Sequence, residues 1–518
     1  MITVSIIVGY LFLLLLLGFL SARLFRGGAT DYFIASRSIG PFVLLMSIFG
    51  TTMTAFAMIG STGEAYRAGV GTYGKMASWS GLIHSACFFF VGMKLWTLGQ
   101  RHGYMTQVEY FRDRFNSPLL GYLLFPVLVL LVIPYLLIGI MGAGNVMSGI
   151  TRGAFPETFA ATGGAVPAWL TGLVIAGVVL SYVFIGGVRS AAWANTFQTL
   201  VFMVMGLLAF ILIAGELGGM KAASQAALPE KAYRQGNIPE MVFLTYCFIP
   251  LSVAMFPHLF QNCLTARSAK TFRLTLVAHP LFMLVTWVPC IFIGFWATGA
   301  LLDHPAFASL SAPGGSNKVL GLMLNTYTGE IIVGLVTAGI LAAIMSSLDS
   351  QFVCLGTMFT RDVVLRVAGP ERFNERQLVW FARGFIVAIV VVTYLLTLLE
   401  PRSIFALGVW CFSGFGALFP LVFGALYWRR TTAAGAIASL VAASVTWVAL
   451  FTASDYGANR EFYPMGVMPV FFIFAACGVT LVVVSLLTPA PAPERLAKFF
   501  KVRPAAVAPS AEPVKTPA

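Results

Sequence analysis

The sequence predicts an all-α polytopic membrane protein of about thirteen transmembrane helices, because it is apolar along nearly its whole length. Hydrophobic residues make up 59% of the 518 residues and charged residues only 10%, whereas a soluble domain carries about 25% charged residues. Apolar segments of about 20 residues recur from end to end, and each could cross a hydrocarbon core of about 30 Å as a helix. No long polar block interrupts them, so we expect residues 1–488 to form one membrane domain.

Glycine, proline and charged residues delimit the apolar segments along the chain. The segments lie near residues 3–24, 40–66, 72–98, 118–149, 167–187, 191–215, 241–265, 272–299, 328–361, 377–399, 403–428, 432–453 and 466–488. The first is too long for the core of a signal peptide and follows no basic residue, so we expect it to remain as a membrane helix.

The charged residues predict the orientation of these helices. The net charge is +13, but the basic residues are scattered among short loops, so we expect no nucleic-acid partner. With the N-terminus outside, about 21 Lys and Arg fall on the cytoplasmic side and 9 on the other, as the cytoplasmic-loop rule requires. We therefore expect an inner (plasma) membrane protein with a cytoplasmic C-terminus. Residues 489–518 are rich in Pro, Ala and Lys, which predicts a disordered cytoplasmic tail.

Two of the apolar segments are interrupted near their middle. The second contains GTTMT (residues 50–54) and GSTG (residues 60–63), and the seventh contains Pro250 and then FPH (residues 256–258). Such residues permit an unwound segment, which is tolerated at membrane depth only where it lines a cavity. Alternatively, the small residues serve close helix packing and the prolines only bend their helix.

The two interruptions lie five segments apart, which favours two related halves at about 40–215 and 241–428. Interrupted helices at corresponding positions of two halves point to the binding site of a secondary transporter. The sequence therefore predicts that a solute binds where the two interrupted helices meet.

The ninth segment carries hydroxyl groups that could bind a cation. Ser346 and Ser347 face nearly the same way as Ala343, one helical turn earlier, and hard cations take oxygen ligands. These groups, with carbonyls from the second segment, could hold sodium; otherwise the serines bond back to their own helix. Asp349 is the only carboxylate in the middle of a segment, and is either a functional acid or a paired structural one.

The chain resembles the sodium:solute symporter family, whose members carry proline, pantothenate, sugars, monocarboxylates or sialic acid. The matching residues cover most of the chain: DYFIASRS (31–38), IGSTGEAYRAG (59–69), GGVR (186–189) with Trp193 and Gln198, PHLFQ (257–261), ARS (266–268), AIMSSLDS (343–350) and FSGFG (412–416).

The resemblance implies a leucine-transporter-like inverted repeat of five plus five helices and alternating access around a site at the membrane midplane. It also implies a sodium site made of three backbone carbonyls and two hydroxyls, those of Gly50, Met53, Ala343, Ser346 and Ser347. Some relatives place a second sodium near an aspartate of the sixth segment. That position reads Asn195 here, so we expect one sodium ion.

The resemblance also suggests where the solute binds. Positions that are Gln or Glu in sugar-carrying relatives read Phe56 and Ala57, and Phe256 replaces an Asn. A sugar is disfavoured, because each desolvated hydroxyl left unpaired costs roughly 1–3 kcal/mol. We expect an amino acid or monocarboxylate-like solute. Its polar anchors would be Thr52, Thr54 and His84, although His84 could instead bond to a neighbouring helix.

Together these features predict a sodium-coupled symporter that imports a small organic solute. A proton-coupled carrier, with Asp349 or His84 as the proton site, and a transporter-like solute sensor are the alternatives. An intramembrane enzyme is not expected, because the chain has no HExxH motif, no second aspartate in mid-segment and no Ser/His pair of catalytic type.

Overall fold

The computed structural model describes residues 2–23, 28–234, 237–310, 312, 314–369, 371–399 and 403–500. Helices account for most of these residues, and no β-strand occurs among them. The last eighteen residues of the predicted tail, 501–518, lie outside the described part of the chain.

Ten of the described helices are long and apolar enough to cross a membrane, and two bent helix pairs add two further crossings. In chain order they are α1 (Ile2–Ala22), α2 (Pro41–Thr52 and Phe56–Ala68), α3 (Gly74–His102), α4 (Pro118–Ile150), α5 and α6 (together Ala168–Glu216), α7 (Glu240–Ala254 and Pro257–Leu264), α8 (Ala269–Ala300), α9 (Glu330–Ala368), α10 (Glu375–Thr397), α11 (Ile404–Tyr427), α12 (Ala433–Ala453) and α13 (Pro469–Leu487). The protein is therefore a multi-pass membrane protein.

The helical stretch Ala168–Glu216 turns back on itself at Gly187. Its 49 residues would extend about 74 Å as one helix, more than twice the thickness of a hydrocarbon core. Gly187 is not helical, with φ of 56° and ψ of −144°. A Cβ atom at this position would also meet the Tyr32 carbonyl oxygen at 2.5 Å. Only glycine accepts both constraints at low cost.

Contacts on either side of the turn show the reversal. The Tyr182 hydroxyl donates to Asp349 over 3.0 Å, and the Asn195 side-chain amide lies 2.9 Å from the hydroxyl of the adjacent Ser350. Thirteen residues of continuous helix would separate Tyr182 from Asn195 by about 20 Å. The stretch thus forms two antiparallel helices, α5 (168–186) and α6 (188–216), and the described chain makes the thirteen crossings that the sequence predicts.

The broken helices α2 and α7 have identifiable local causes. The two parts of α2 meet at 58°, with Met53 in an extended conformation at the end of the first part. The Thr54 hydroxyl then accepts the Phe56 N–H over 3.0 Å. The parts of α7 meet at 49°, where Pro257 opens the second part. Proline has no N–H and disfavours the helical conformation of the residue before it, so α7 cannot continue through this point.

Helix α9 lies at the centre of the bundle. In its most apolar stretch 83% of the residues are buried, against at most 67% for any other unbroken crossing helix of the described chain. It packs along α1, α4, α6 and the first part of α2. A helix buried on all sides can carry polar side chains only if they bond to neighbouring helices, so α9 is where ion-binding groups can be held.

Shorter helices connect the spans at both ends. They are Ala29–Ile34, Gln107–Phe115, Met220–Ala226, Phe307–Leu310, Val319–Tyr327 and Pro493–Phe499. The helix Gln107–Phe115 starts with a capping box, in which the Thr106 hydroxyl accepts the Glu109 N–H over 3.1 Å and the Glu109 carboxylate bonds back. This cap fixes the position of Asp113 one turn later.

The prediction of a disordered tail from residue 489 was wrong for Pro493–Phe499, which forms a helix. The Lys498 ammonium donates to the Asp113 carboxylate, and the Arg495 side chain donates to the Asp113 carbonyl over 2.5 Å. Phe499 is buried. Composition alone indicates that this segment cannot form its own core, but the membrane domain supplies a surface on which it packs.

Replacing Gly187 by Ala should lower the thermal unfolding midpoint of the purified protein in detergent. An alanine held at this positive φ and pressed against Tyr32 should lower the free energy of unfolding by about 1–3 kcal/mol or more. The matched control is Gly177→Ala, because Gly177 lies in helical backbone with nothing within 4 Å of an added Cβ. Alanine there should leave the midpoint unchanged, or raise it because the free energy of unfolding increases by up to about 1 kcal/mol. An equal response of both variants would contradict the tight turn.

Asp113→Asn should loosen the helix Pro493–Phe499. Burial raises the pKa of Asp113, but hydrogen bonds from Lys498 and Tyr104 outweigh it, so the pKa lies below its usual range. A lowered pKa stabilises the docked helix above the ordinary Asp value of about 4, and this contribution is lost as the pH falls through the folded value.

Hydrogen exchange of peptides covering residues 493–499 measures this effect at neutral pH. Because Asp113 and Lys498 are partly exposed, their pairing is worth about 0.2–1 kcal/mol, so exchange should be up to about fivefold faster in Asp113→Asn. Glu494→Gln, in the same helix, serves as the control and should exchange as wild type. Unchanged exchange in Asp113→Asn would show that the Asp113 carboxylate does not hold the helix.

Candidate functional site

A cavity lies where the broken helices α2 and α7 meet. Part of its wall comes from the two breaks. Thr52 lies before the α2 break and Phe56 after it, and Phe256 lies at the α7 break. Tyr135 of α4, His84 of α3 and Trp287 of α8 complete the walls with a few further side chains. The interruptions seen in the sequence thus border one internal space.

The structure brings four of the six predicted solute-binding residues to this cavity. These are Thr52, Phe56, His84 and Phe256. The other two, Thr54 and Ala57, do not line it. The Thr54 hydroxyl is buried and caps the second part of α2 by accepting the Phe56 N–H, and Ala57 is fully buried. Their side chains therefore support the break itself and are not placed to contact a solute in this cavity.

Several wall residues were missed by the sequence analysis. Tyr135, Trp287 and Phe412 each lie in a long apolar helix, where a single sequence does not distinguish an aromatic residue facing a cavity from one facing lipid. Ser80 and Ser252 also line the cavity. The Pro250 motif of the seventh segment was a signal that could have drawn attention to Ser252.

The aromatic side chains of the wall hold one another in place. The Phe56 ring stacks on Phe405 with centroids 5.1 Å apart, and meets the Phe412 ring edge-on at 4.9 Å. Tyr135 contacts both Phe256, at 5.4 Å, and Phe412, at 5.0 Å. Edge-to-face and offset contacts at these distances are favourable, so the wall is largely preformed.

No Asp, Glu, Lys or Arg side chain of the described residues lines the cavity. Its polar groups are neutral hydroxyls, together with His84 and the Trp287 indole. The Nδ1 atom of His84 and the Nε1 atom of Trp287 are buried, and neither has a hydrogen-bond partner in the described chain. Buried polar atoms are normally paired, so these two nitrogens are candidates for bonds to a bound molecule.

Charged side chains are found in a second cavity that shares Tyr246 with the first. Glu64 lies between two cations there, with Lys75 Nζ at 2.7 Å and an Arg67 nitrogen at 3.0 Å. Arg460 also lines this second cavity. The Tyr246 side chain therefore borders both an aromatic inner space and a charged outer one.

Three of the five predicted sodium ligands come together between α2 and α9. The Ser346 hydroxyl lies 2.8 Å from the Gly50 carbonyl oxygen and 2.9 Å from the Ala343 carbonyl oxygen. All of these oxygens are buried, since Ser346 and Ala343 are fully inaccessible to solvent and Gly50 is buried. The cluster joins the last turn before the α2 break to the most buried helix of the bundle.

The Ser347 hydroxyl is not part of this cluster. The Ser347 hydroxyl donates to the Ile344 carbonyl of its own helix over 2.9 Å. Met53 is buried at the end of the first part of α2, and its N–H bonds back to Phe49 and Gly50. The alternative that the serines bond back to their helix thus describes Ser347, whereas Ser346 also bridges to α2.

Asp349 is buried next to this cluster in a network of neutral groups. Its carboxylate accepts the Tyr182 hydroxyl at 3.0 Å and the Ser350 hydroxyl at 3.3 Å. The Asn195 amide lies 3.1 Å from each carboxylate oxygen. No Lys or Arg of the described chain forms an ion pair with it. These hydrogen bonds link α9 to both α5 and α6, on either side of the turn at Gly187.

Solved structures with a similar fold are membrane symporters. A Na⁺-coupled sialic acid symporter, in a substrate-bound outward-open state, matches 95% of this chain and 98% of its own with a TM-score of 0.75 and 19% identity. Mhp1, a nucleobase-cation-symport-1 family transporter, matches 90% of this chain and 97% of its own with a TM-score of 0.59 and 16% identity. The chain therefore shares the fold of these two proteins.

The sequence model of the sodium:solute symporter family matches residues 32–443, and the chain belongs to this family. Curated relatives include the uncharacterized symporter YhjB of Bacillus subtilis (strain 168), 26% identical over 86% of this chain and 88% of its own. The sodium/proline symporter of Escherichia coli (strain K12) is 24% identical over 95% and 94%, and the sodium/pantothenate symporter of the same strain 24% over 82% and 84%. The predicted family and fold class are confirmed, as is sodium-coupled solute import as the function that the family supports.

Proposed function

We propose that this protein imports an amino acid or monocarboxylate-like solute together with one sodium ion, by alternating access across the plasma membrane. The observation that carries this proposal is the contact of the Ser346 hydroxyl with carbonyls of both α2 and α9. Sodium would be the transported coupling ion, held between these helices, and the solute would occupy the cavity at the two breaks.

The sodium site is supported by the chemistry of a helix end. Gly50 lies in the last turn of the first part of α2, where its carbonyl accepts the Met53 N–H and the Ser346 hydroxyl in place of the bond that a continuous helix would supply. The C-terminal end of a helix carries partial negative charge and favours cations. Ser346 and Ala343 add two oxygens from α9, and oxygen is the ligand that hard cations prefer. A rotation of the Ser347 hydroxyl and the Met53 carbonyl would complete the five predicted ligands.

Coupling between ion and solute would follow from the shared break in α2. Gly50 faces the ion site, and Thr52, two residues later, lines the solute cavity. Sodium that holds α2 against α9 would therefore also fix the cavity wall. A ligand changes an equilibrium only through its differential affinity for the two states, so sodium should raise solute affinity by favouring the state in which this wall is formed.

The proposed orientation places the N-terminus outside and the C-terminus in the cytoplasm. The helix Pro493–Phe499 lies against the helix Gln107–Phe115, through the bonds from Lys498 and Arg495 to Asp113. Both segments carry basic residues, which is typical of cytoplasmic loops. The charged second cavity, with Glu64 and Lys75, would then face the outside and give the solute access to the inner cavity.

Ser346→Ala should raise the sodium concentration for half-maximal uptake about tenfold. Removing a hydrogen-bonding group from a charged partner costs about 1.5–3 kcal/mol, and 1.4 kcal/mol corresponds to a factor of ten. The measurement is uptake into proteoliposomes of a labelled panel of amino acids, monocarboxylates, pantothenate and sugars, with and without an inward sodium gradient at fixed pH.

Thr337→Ala is the matched control, because Thr337 is a buried hydroxyl of the same helix that bonds back to Val333 over 2.6 Å. It should leave the sodium dependence unchanged. Accumulation driven by a proton gradient alone, with no response to Ser346→Ala, would contradict the sodium site and favour the proton-coupled alternative. Binding of a solute without any accumulation would instead favour a solute sensor.

A further inference from the structure

We propose that the solute contains an aromatic or heteroaromatic ring and carries no net negative charge. It would be a zwitterion or a neutral compound, and not a monocarboxylate anion. This inference rests on the proposed function, since it takes the cavity between α2 and α7 as the solute site. It narrows the solute class. It rests on the aromatic residues of the cavity wall, on the absence of Asp, Glu, Lys and Arg from the described wall, and on two buried nitrogens without partners.

The first step concerns the shape and surface of the cavity. Six of its wall residues are aromatic, and they belong to five different helices: Phe56, Tyr135, Tyr246, Phe256, Trp287 and Phe412. The Phe412 ring contacts both the Phe56 ring, at 4.9 Å, and the Phe256 ring, at 5.6 Å. Because rings prefer offset or edge-to-face partners, a planar ring entering this space gains contacts that a compact aliphatic group does not.

The second step concerns charge. An anion inside the cavity would lose its hydration without meeting a cationic side chain, because the described wall has none. Lys75 and Arg67 lie outside, in the second cavity, and are already paired with Glu64. A net negative solute is therefore disfavoured within the inner cavity.

The third step concerns the two unpaired nitrogens. The Trp287 side chain is only 4% exposed and His84 only 7%, yet Trp287 Nε1 and His84 Nδ1 have no partner in the described chain. Trp287 Nε1 is a donor only, so its partner must be an acceptor such as a carbonyl or carboxylate oxygen. The His84 ring nitrogen can donate or accept according to its tautomer. The solute would thus present one acceptor toward α8 and a second polar group toward α3.

These constraints can be tested with probes that differ in one property. L-Phenylalanine has an aromatic ring and L-cyclohexylalanine the corresponding saturated ring. Uracil and dihydrouracil form a second such pair, in which the compound is a neutral heterocycle. 3-Phenylpropionate keeps the ring of phenylalanine but lacks the ammonium, so it is an anion. L-Proline and pyruvate represent small aliphatic solutes. Ligand binding stabilises the folded state, so dissociation constants follow from thermal unfolding of the purified full-length protein in detergent with sodium chloride.

We expect phenylalanine or uracil to bind at least tenfold more tightly than its saturated counterpart and than 3-phenylpropionate. Tighter binding of proline, pyruvate or 3-phenylpropionate would overturn the inference. So would equal binding of each ring and its saturated counterpart, or the absence of binding by both aromatic probes.

Trp287→Phe tests the role of the Trp287 N–H, which has no partner in the described chain. The variant keeps an aromatic ring but lacks the N–H and has a smaller ring area. It should weaken binding of the best aromatic probe about tenfold, as expected for leaving a buried acceptor unpaired. Trp296→Phe is the matched control: Trp296 is also a buried tryptophan of α8, but its N–H donates to Ser224 over 2.9 Å and it lies outside the cavity wall. Equal affinities of the two variants would contradict the role of Trp287.

The same proteins separate this inference from the proposed function. If phenylalanine binds with the expected selectivity and is accumulated only with a sodium gradient, both stand. If uracil does so instead, the sodium-coupled mechanism and the aromatic ring stand, and a neutral heterocycle replaces the amino acid of the proposed function. If either probe binds with the expected selectivity but its uptake ignores sodium, the sodium-coupled mechanism fails and the solute class stands. If an aliphatic or anionic solute is instead accumulated with sodium, the mechanism stands and the solute class fails.

Discussion

The break in α2 is the constraint on which the rest of the molecule depends. Backbone groups without hydrogen-bond partners are costly inside a membrane, so an interrupted helix persists there only when neighbouring helices satisfy it. Ser346 of α9 bonds to Gly50 before the break, and Thr54 caps the helix after it. These contacts require α9 to lie against α2 with polar groups facing it. That requirement accounts for the deep burial of α9 and for the hairpin of α5 and α6 packed around it.

The distribution of charge follows from the same cost of burial. Ion pairs lie toward the two ends of the bundle. Glu64 with Lys75 borders the outer cavity, while Glu109 pairs with Arg361 at 2.8 Å near the opposite end. Between them the described helices carry few Asp, Glu, Lys or Arg side chains, and Asp349 lies in a network of hydrogen bonds. A cavity between two charged ends and walled by aromatic rings, such as the proposed solute site, would disfavour a net charge on the molecule that it holds.

Membership of the sodium:solute symporter family agrees with this architecture. The family match covers residues 32–443, which includes both broken helices and α9. The relatives named above transport chemically different solutes, according to their names, on one fold. Substrate choice in such a family resides in a few wall side chains, because a fold supports many functions and only the site determines which one is present.

The sequence by itself determined the features that depend on local chemistry. Hydropathy predicted the crossings, and Pro257 and the residues around Gly50 predicted where α7 and α2 break, because proline and small residues act on their own helix. The family resemblance and the bridging role of Ser346 were also accessible at this level.

Only the tertiary structure decided which side chains meet. Thr54 and Ala57 lie away from the cavity while Trp287 and Tyr135 line it, because the rotation of each helix is set by packing against distant segments. Likewise, the helix Pro493–Phe499 forms because Asp113, far away in the sequence, supplies its partner. A sequence pattern specifies which face of a helix is apolar, but in a protein that is apolar on nearly every face, long-range packing decides what each face touches.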